Sequence, residues 1–408
     1  MANADRFSIC GGNVLLPQGL CQTELCVEDS LISHTGSAPG RGHVIDATGL
    51  YVLPGIIDLH GDAFERQIMP RPGVHFDLQL ALADTDRQLV SNGISTAYHG
   101  VTYSWEPGLR SRDTLLRMMD AMANAARYLA CDTRLHLRHE TYNLDAEAEI
   151  LDWLAAGKID LLAFNDHTPD ILRKLTNPKD SMTVLQRCGL ELGALRELAE
   201  RVSARAAEVA PSIARLAAAA VAAGIPQASH DDPSPETRQW YQAIGCGISE
   251  FPKTRETAVL ARKLGNHVVF GAPNVVRGGS HQPNNVSAAA MAHDGLCTVL
   301  TSDYYYPAML PAAFRLSDDG VCTLPEAWAM VSSNPAEAAG LHDRGTLAPG
   351  KRADVLLVQA PAGRAPSVVA HLIGGRVAYA ASGSRASLFS TNRPESADVE
   401  AVQAAVVA

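Results

Sequence analysis

Gly55-Ile56-Ile57-Asp58-Leu59-His60-Gly61-Asp62 is a hydrophobic run ending in two metal-competent side chains spaced His-x-Asp. Alternate side chains of a strand share a face, so His60 and Asp62 point the same way if strand geometry persists through Gly61. Further candidate ligands stand at the ends of later apolar runs: Glu140, His167, His230 and Asp303. Each sits where a buried strand gives way to a loop. Taken singly, such a residue is an ordinary strand-end side chain; the shared position is what carries the argument. Nitrogen and oxygen ligands delivered by separate strands are how a barrel assembles a hydrolytic metal centre.

Outward from this segment, apolar strand patterns alternate with helical ones. Strands are expected at Ile56–His60, Ile94–His99, Arg134–Glu140, Asp160–Asp166, Ile225–His230, Ile248–Phe251, Val268–Ala272 and Thr298–Asp303. Between them lie helical-period segments such as Thr114–Leu129, Ala146–Ala156, Leu190–Ala223 and Arg255–Leu264. Alternation of this kind predicts parallel strands. Eight of them fit an α/β fold of the (β/α)8 type, whose usual size is roughly 250 residues. An open doubly wound sheet would not naturally gather ligands from its first and last strands, whereas closure places those two side by side.

Residues 1–53 read differently, as short strands broken by turns: Phe7–Ile9, Asn13–Leu16, Leu25–Val27 and His43–Asp46. A β pattern returns near Gly345, with Val355–Val358 and Val368–Val377 as strand candidates. The expected organisation is therefore a small β-sandwich from residues 1–53 plus 345–385, a barrel over 54–344, and a C-terminal tail, 386–408, that is loosely ordered. The alanine-rich stretch Ala204–Ala223 is a good helix former, not a linker.

The 408-residue chain is 47% hydrophobic and 19% charged, the composition of a soluble globular enzyme. Its net charge of −10 disfavours a nucleic-acid-binding surface. Eight cysteines are scattered without a Cys-x-x-Cys pair, which suits reduced thiols in the cytoplasm. The N-terminus lacks a basic segment leading into a long apolar one, and no run reaches bilayer length, so neither secretion nor a membrane partner is expected.

In Leu135-His136-Leu137-Arg138-His139-Glu140, strand parity puts His136, Arg138 and Glu140 on one face, opposite the two leucines. Such polar groups inside a barrel need partners or a ligand. Mixed imidazole and carboxylate ligation suits Zn, Mn or Fe, and the lack of clustered thiols disfavours a structural zinc site. His99, His136, His139 and His281 are weaker candidates, and His267 and His293 read as structural. Two arginine-bearing segments suggest an anionic substrate. Met69-Pro70-Arg71-Pro72-Gly73 holds Arg71 in a stiff loop after strand 1. Arg277-Gly278-Gly279-Ser280-His281 follows strand 7, where barrels commonly bind phosphate. Guanidinium groups suit bidentate contact with phosphoryl oxygens. Read as structure alone, the second segment is a glycine-rich turn with a surface arginine. Lys351-Arg352 is expected to cap a turn.

The order His-x-Asp, Glu, His, His, Asp along the strands resembles the amidohydrolase superfamily. Longer stretches resemble its phosphonate-catabolism branch, the ribose phosphonate triphosphate diphosphatases. They include Pro70-Arg71-Pro72, Leu135-His136-Leu137-Arg138, Ala228-Ser229-His230-Asp231-Asp232, Glu250-Phe251-Pro252, Gly271 through His281, and Ser302-Asp303-Tyr304-Tyr305. The resemblance implies a small-molecule substrate, a ribose with a methylphosphonate at C1 and a triphosphate at C5, cut to the 5-phosphate and pyrophosphate. It implies two divalent metal ions, zinc first among Zn, Mn and Fe, one held by His60, Asp62 and Asp303 and the other by His167 and His230, with Glu140 between them. Asp303 would accept a proton during attack by water. Arg71, Arg138 and Arg277, with the loop Gly278-Gly279-Ser280-His281, would neutralise phosphoryl or phosphonate oxygens. One departure is local. After His60 the chain reads Gly-Asp-Ala-Phe-Glu-Arg where the family pattern has Thr-Asp-Asn, so the alternative is a paralogue acting on a C–N bond or another phosphorylated small molecule. A catalytically dead barrel serving as an oligomeric scaffold is a further alternative. The metal's identity, the phosphorus attacked and the oligomeric state, a homo-oligomer included, stay open.

Overall fold

The computed structural model describes residues 6–36, 43–280 and 286–381. The chain divides into two compact units, Gly55–Gly345 and the two chain ends, Met1–Pro54 with Thr346–Ala408. The proposed tail, 386–408, lies outside the described residues.

The larger unit is a parallel eight-stranded sheet: β1 (Ile56–Gly61), β2 (Ile94–Tyr103), β3 (Asp132–Glu140), β4 (Leu161–Asn165), β5 (Gln227–His230), β6 (Ile248–Glu250), β7 (His267–Gly271) and β8 (Val299–Thr301). Every strand pairs with its sequence neighbour, and a parallel bridge between Gly61 and Asp303 brings the ends of β8 and β1 together. This is the expected α/β barrel. β1 and β2 are buried throughout, as parallel strands covered on both faces must be. Their apolar runs follow from that burial.

Side-chain caps open several of the helices. Asp77 accepts from the Gln79 and Leu80 amides to open Leu78–Ser91. Ser111, Ser234, Thr254 and Ser287 cap four more helices in the same way, each satisfying an otherwise orphaned N–H. The expected Leu190–Ala223 helix is two, Leu192–Ser203 and Ala206–Ala222. Arg205 leaves helical geometry between them, its guanidinium held by Asp145 (2.7 Å) and Glu208 (2.9 and 3.0 Å). Leu135, Leu137, Leu162 and Phe164 pack outward against Leu115, Ile150 and Leu216 of the surrounding helices.

The smaller unit has a four-stranded sheet ordered Leu31–Thr35, Leu25–Glu28, Arg6–Cys10, His43–Asp46. Its six-stranded sheet runs Arg376–Ala380, Ser367–Ile373, Val355–Gln359, Tyr51–Pro54, Asn13–Leu16, Gly19–Gln22, and so mixes strands from both chain ends. Ile9, Leu25, Val27 and Ile45 of the first sheet share one core with Val14, Val52, Val355, Leu357 and Leu372 of the second. All eight cysteines are free thiols. Among the described residues, no helix is long and apolar enough to cross a membrane.

Candidate metal centre

The polar side chains collect at the C-terminal ends of the strands. Asp58, fully buried in β1, is the hub of closure. Its Oδ1 accepts from the Thr301 hydroxyl (2.5 Å) and the Ser302 amide (2.9 Å), and its Oδ2 accepts from the Ser302 hydroxyl (2.5 Å). Thr301 also accepts from the His60 amide at 2.8 Å. Burial pushes the Asp58 carboxyl upward in pKa, against these hydrogen bonds. A neighbouring glycine is obligatory. A Cβ on Gly61 would stand 2.8 Å from Asp58 Oδ2, 2.9 Å from Ser302 Oγ and 2.9 Å from the Tyr306 ring.

From this closed edge the site opens into a cavity of about 260 Å³. His60, Asp62, Arg138, His167, His230 and Asp303 line it, with Asp231, Phe251, Asn274, Ser280 and Tyr304 among the other walls. The His60 and His230 rings lie 5.3 Å apart and stacked, and His167 meets His230 edge-on at 5.5 Å. Glu140, at the end of β3, is buried behind His167: its Oε1 lies 2.6 Å from His167 Nδ1 and its Oε2 accepts from the His167 amide at 3.1 Å. Burial disfavours its charge, but the His167 ring and amide, with Arg138, hold the carboxyl down to about 2. Asp62 accepts from Arg138 at 3.1 Å, and the Arg138 guanidinium also faces the Asn165 side chain.

Asp303 follows β8 in the left-handed region, φ 53°, and Asp231 and Phe251 take the same conformation after β5 and β6, at 60° and 52°. Non-glycine residues rarely sit there, and such strain concentrates at functional sites. Burial, and then the nearby Asp62 charge, push the Asp303 carboxyl up to about 8.

Parity on β3 places His136, Arg138 and Glu140 toward the site, with partners at Glu250, Asp62 and His167 respectively. Glu250, at the end of β6, appears above within the segment Glu250-Phe251-Pro252 but not among the expected ligands, although it occupies the same strand-end position as they do. It is fully buried; its Oε1 stands 3.1 Å from His60 Nδ1 and its Oε2 3.2 Å from His230 Nδ1. Arg238 fixes the strands beneath it, donating to Ser229 Oγ (2.8 Å), the Ile248 carbonyl (3.2 Å) and the Cys246 carbonyl (2.6 Å).

Among the described residues, two groups have ligand atoms lying within 4.8 Å of one another: His60, His136 and Glu250, and His167, His230 and Asp231. In the first, His60 Nδ1, His136 Nε2 and Glu250 Oε1 are all buried without an aligned hydrogen-bond partner. Buried orphans of this kind are costly, and imidazole with carboxylate suits a divalent transition metal. The residues present fit a metal ion. Asp62 and Asp303 share the cavity wall with His60, but belong to neither close group.

The substrate-binding candidates are spread more widely. Arg138 and Ser280 line the cavity, whereas Arg71 and Arg277 are exposed and stand outside its described walls. The Gly278 and Gly279 amides bond back to Val275 (3.1 Å) and Asn274 (2.8 Å) to close the helix Ala272–Arg277, which removes them from the donors available to a ligand. His281 lies outside the described residues.

The model of the amidohydrolase family matches residues 78–379. The chain is 35% identical over 323 residues to the α-D-ribose 1-methylphosphonate 5-triphosphate diphosphatase of Escherichia coli (strain K12), covering 77% of this chain and 84% of that one. In fold it is similar to a D-hydantoinase (TM-score 0.63, 16% identity, 94% of this chain and 96% of that one). It is similar also to the dihydropyrimidinase from Brevibacillus agri NCHU1002 (TM-score 0.60, 14% identity, 92% and 95%). A barrel closed at Asp58, strand-end imidazoles and carboxylates, and a family match across most of the chain lead to one conclusion: this protein belongs to the amidohydrolase family.

Proposed function

We propose that this protein is a metal-dependent diphosphatase that hydrolyses α-D-ribose 1-methylphosphonate 5-triphosphate to the 5-phosphate and pyrophosphate. The observation that carries the reading is the 35% identity, over most of both chains, to a diphosphatase of that name. The polar cavity at the strand ends supports it.

His60, Asp62 and Asp303 would hold one divalent cation, and His167 and His230 a second, with Glu140 between the two sets. Zinc leads, with manganese and iron as alternatives, since this donor chemistry suits all three. Bound metal would supply Lewis-acid polarisation of water and phosphoryl oxygen. The chain's own groups do the rest. Asp303, bridged to Gly61 at the seam between β8 and β1, accepts a proton from the attacking water. Arg138, 5% exposed and fixed by Asp62 at 3.1 Å, places a cation in the cavity wall where charge develops on the phosphoryl oxygens. Ser280 lines the same cavity and offers a hydroxyl to the triphosphate. Exposed Arg71 and Arg277 meet the parts of the substrate that project beyond the cavity. The free thiols suit a cytoplasmic setting.

Phosphorus NMR of the products from the ribose triphosphate, with metal analysis of the same sample, tests the reading. Pyrophosphate and the 5-phosphate are expected in equal amounts. Amine or acetate release from C–N substrates, with the triphosphate untouched, would replace this reading with the paralogue.

A further inference from the structure

We propose that His60, His136 and Glu250 form a metal-binding site in the floor of the barrel, making Glu250 and His136 ligands of the centre. The inference rests on the metal-dependent reading above and extends its ligand set. Three separate strands, β1, β3 and β6, bring these side chains together, and all three are at most 1% exposed.

The hydrogen bonding leaves few alternatives. His136 Nδ1 faces the Leu59 carbonyl oxygen at 2.8 Å. A carbonyl can only accept, so Nδ1 carries the proton and the neutral ring keeps its lone pair on Nε2. That lone pair faces Glu250 Oε1, 3.8 Å away. Two acceptors thus confront each other where water does not reach, and His60 Nδ1, 3.1 Å from the same oxygen, is not aligned to donate to either. A cation at the centre of the three atoms resolves the conflict.

The spacing also suits one. Zinc bonds of about 2.0 Å in tetrahedral array set ligand atoms roughly 3.3 Å apart, and the two carboxylate-to-imidazole distances, 3.1 and 3.8 Å, bracket that value. The Leu59 carbonyl orients His136 as metal-bound imidazoles are usually oriented, through the nitrogen that does not ligate. Glu250 Oε2 meanwhile faces His230 Nδ1 at 3.2 Å, so one carboxylate links the new site to the group of His167, His230 and Asp231.

The test is zinc stoichiometry and zinc-dependent melting of the full chain, wild type against Glu250→Gln and His136→Asn. Each variant is expected to retain about one zinc equivalent fewer than wild type after dialysis. The metal-free melting temperature of Glu250→Gln should be unchanged or higher, because the facing acceptors are gone. A purely structural carboxylate would give the opposite pattern, with full zinc content and a lower metal-free melting temperature, and would overturn the proposal. Should Glu250→Gln fail to fold, His136→Asn decides by the same count. Wild-type protein that retains none of zinc, manganese and iron would overturn the metal-dependent reading, and this site with it; wild type and both variants retaining equal metal would overturn this site alone.

Discussion

Asp303 donates its backbone N–H to the His60 carbonyl oxygen at 2.9 Å, and its own carbonyl accepts from the Asp62 N–H at 2.9 Å. The last strand of the barrel is therefore joined to the first at the residue proposed to handle the proton. Closing the sheet and assembling the site are one event, so substitutions at the seam should affect both together.

Replacing Asp303 by Asn keeps the shape but removes the proton acceptor. Pyrophosphate release should fall by roughly 10²–10⁴-fold, with the far-ultraviolet circular dichroism unchanged. A wild-type-like rate would remove Asp303 from the mechanism.

The same carboxyl should leave a mark on stability in the metal-free protein. Its ordinary value is 3.8, and in the fold it is lifted to about 8 by burial and then by Asp62. Between those values the unfolded chain is ionised there while the folded chain keeps the proton, so the stability it contributes is complete below the lower value and is lost as pH rises toward the upper one. Metal-free wild type should lose melting temperature relative to Asp303→Asn between about pH 4 and 8, then level off. A difference that stays constant across that range would show that the carboxyl is not lifted.

Gly61→Ala probes the seam without touching a candidate ligand. Its methyl group meets Asp58, Ser302 and Tyr306 at 2.9 Å or less, and none of the three is the free end of a flexible chain. Overpacking of this kind costs about 1–3 kcal/mol, measurable by urea unfolding of the metal-free protein. No loss of stability would mean that β8 can move away from β1 at little cost.

Arg277→Ala separates a substrate contact from a surface turn. The side chain is exposed, so the variant should fold and keep its metal. A contact with the triphosphate would raise KM about tenfold, the equivalent of roughly 1.4 kcal/mol. An unchanged KM would leave the arginine as the end of a helix and nothing more.

The strands were legible because parallel strands buried on both faces must be apolar along their length, as in Ile94–Tyr103. Parity also told correctly that His136, Arg138 and Glu140 share a face. What the sequence withheld was which strand ends approach one another. Glu250 sits in the three-residue strand Ile248–Glu250, too short for a pattern to single out a polar terminus. Its importance comes only from the distances to His60 and His230. Likewise Gly278 and Gly279 read as a phosphate loop, because their composition does not reveal that both amides cap the preceding helix. Arg205, which separates Leu192–Ser203 from Ala206–Ala222, contacts distant Asp145 and neighbouring Glu208, and only the second is local in sequence.

The six-stranded sheet pairs Tyr51–Pro54 with Val355–Gln359, so its halves emerge from the ribosome separated by all of Gly55–Gly345. At translation speeds of about 5–20 residues per second, that interval lasts roughly 15–60 s. Throughout it the Tyr51–Pro54 strand carries an open edge awaiting a partner that has not yet been synthesised. An edge left open for that interval is a template on which a chaperone, or another growing chain, could pair.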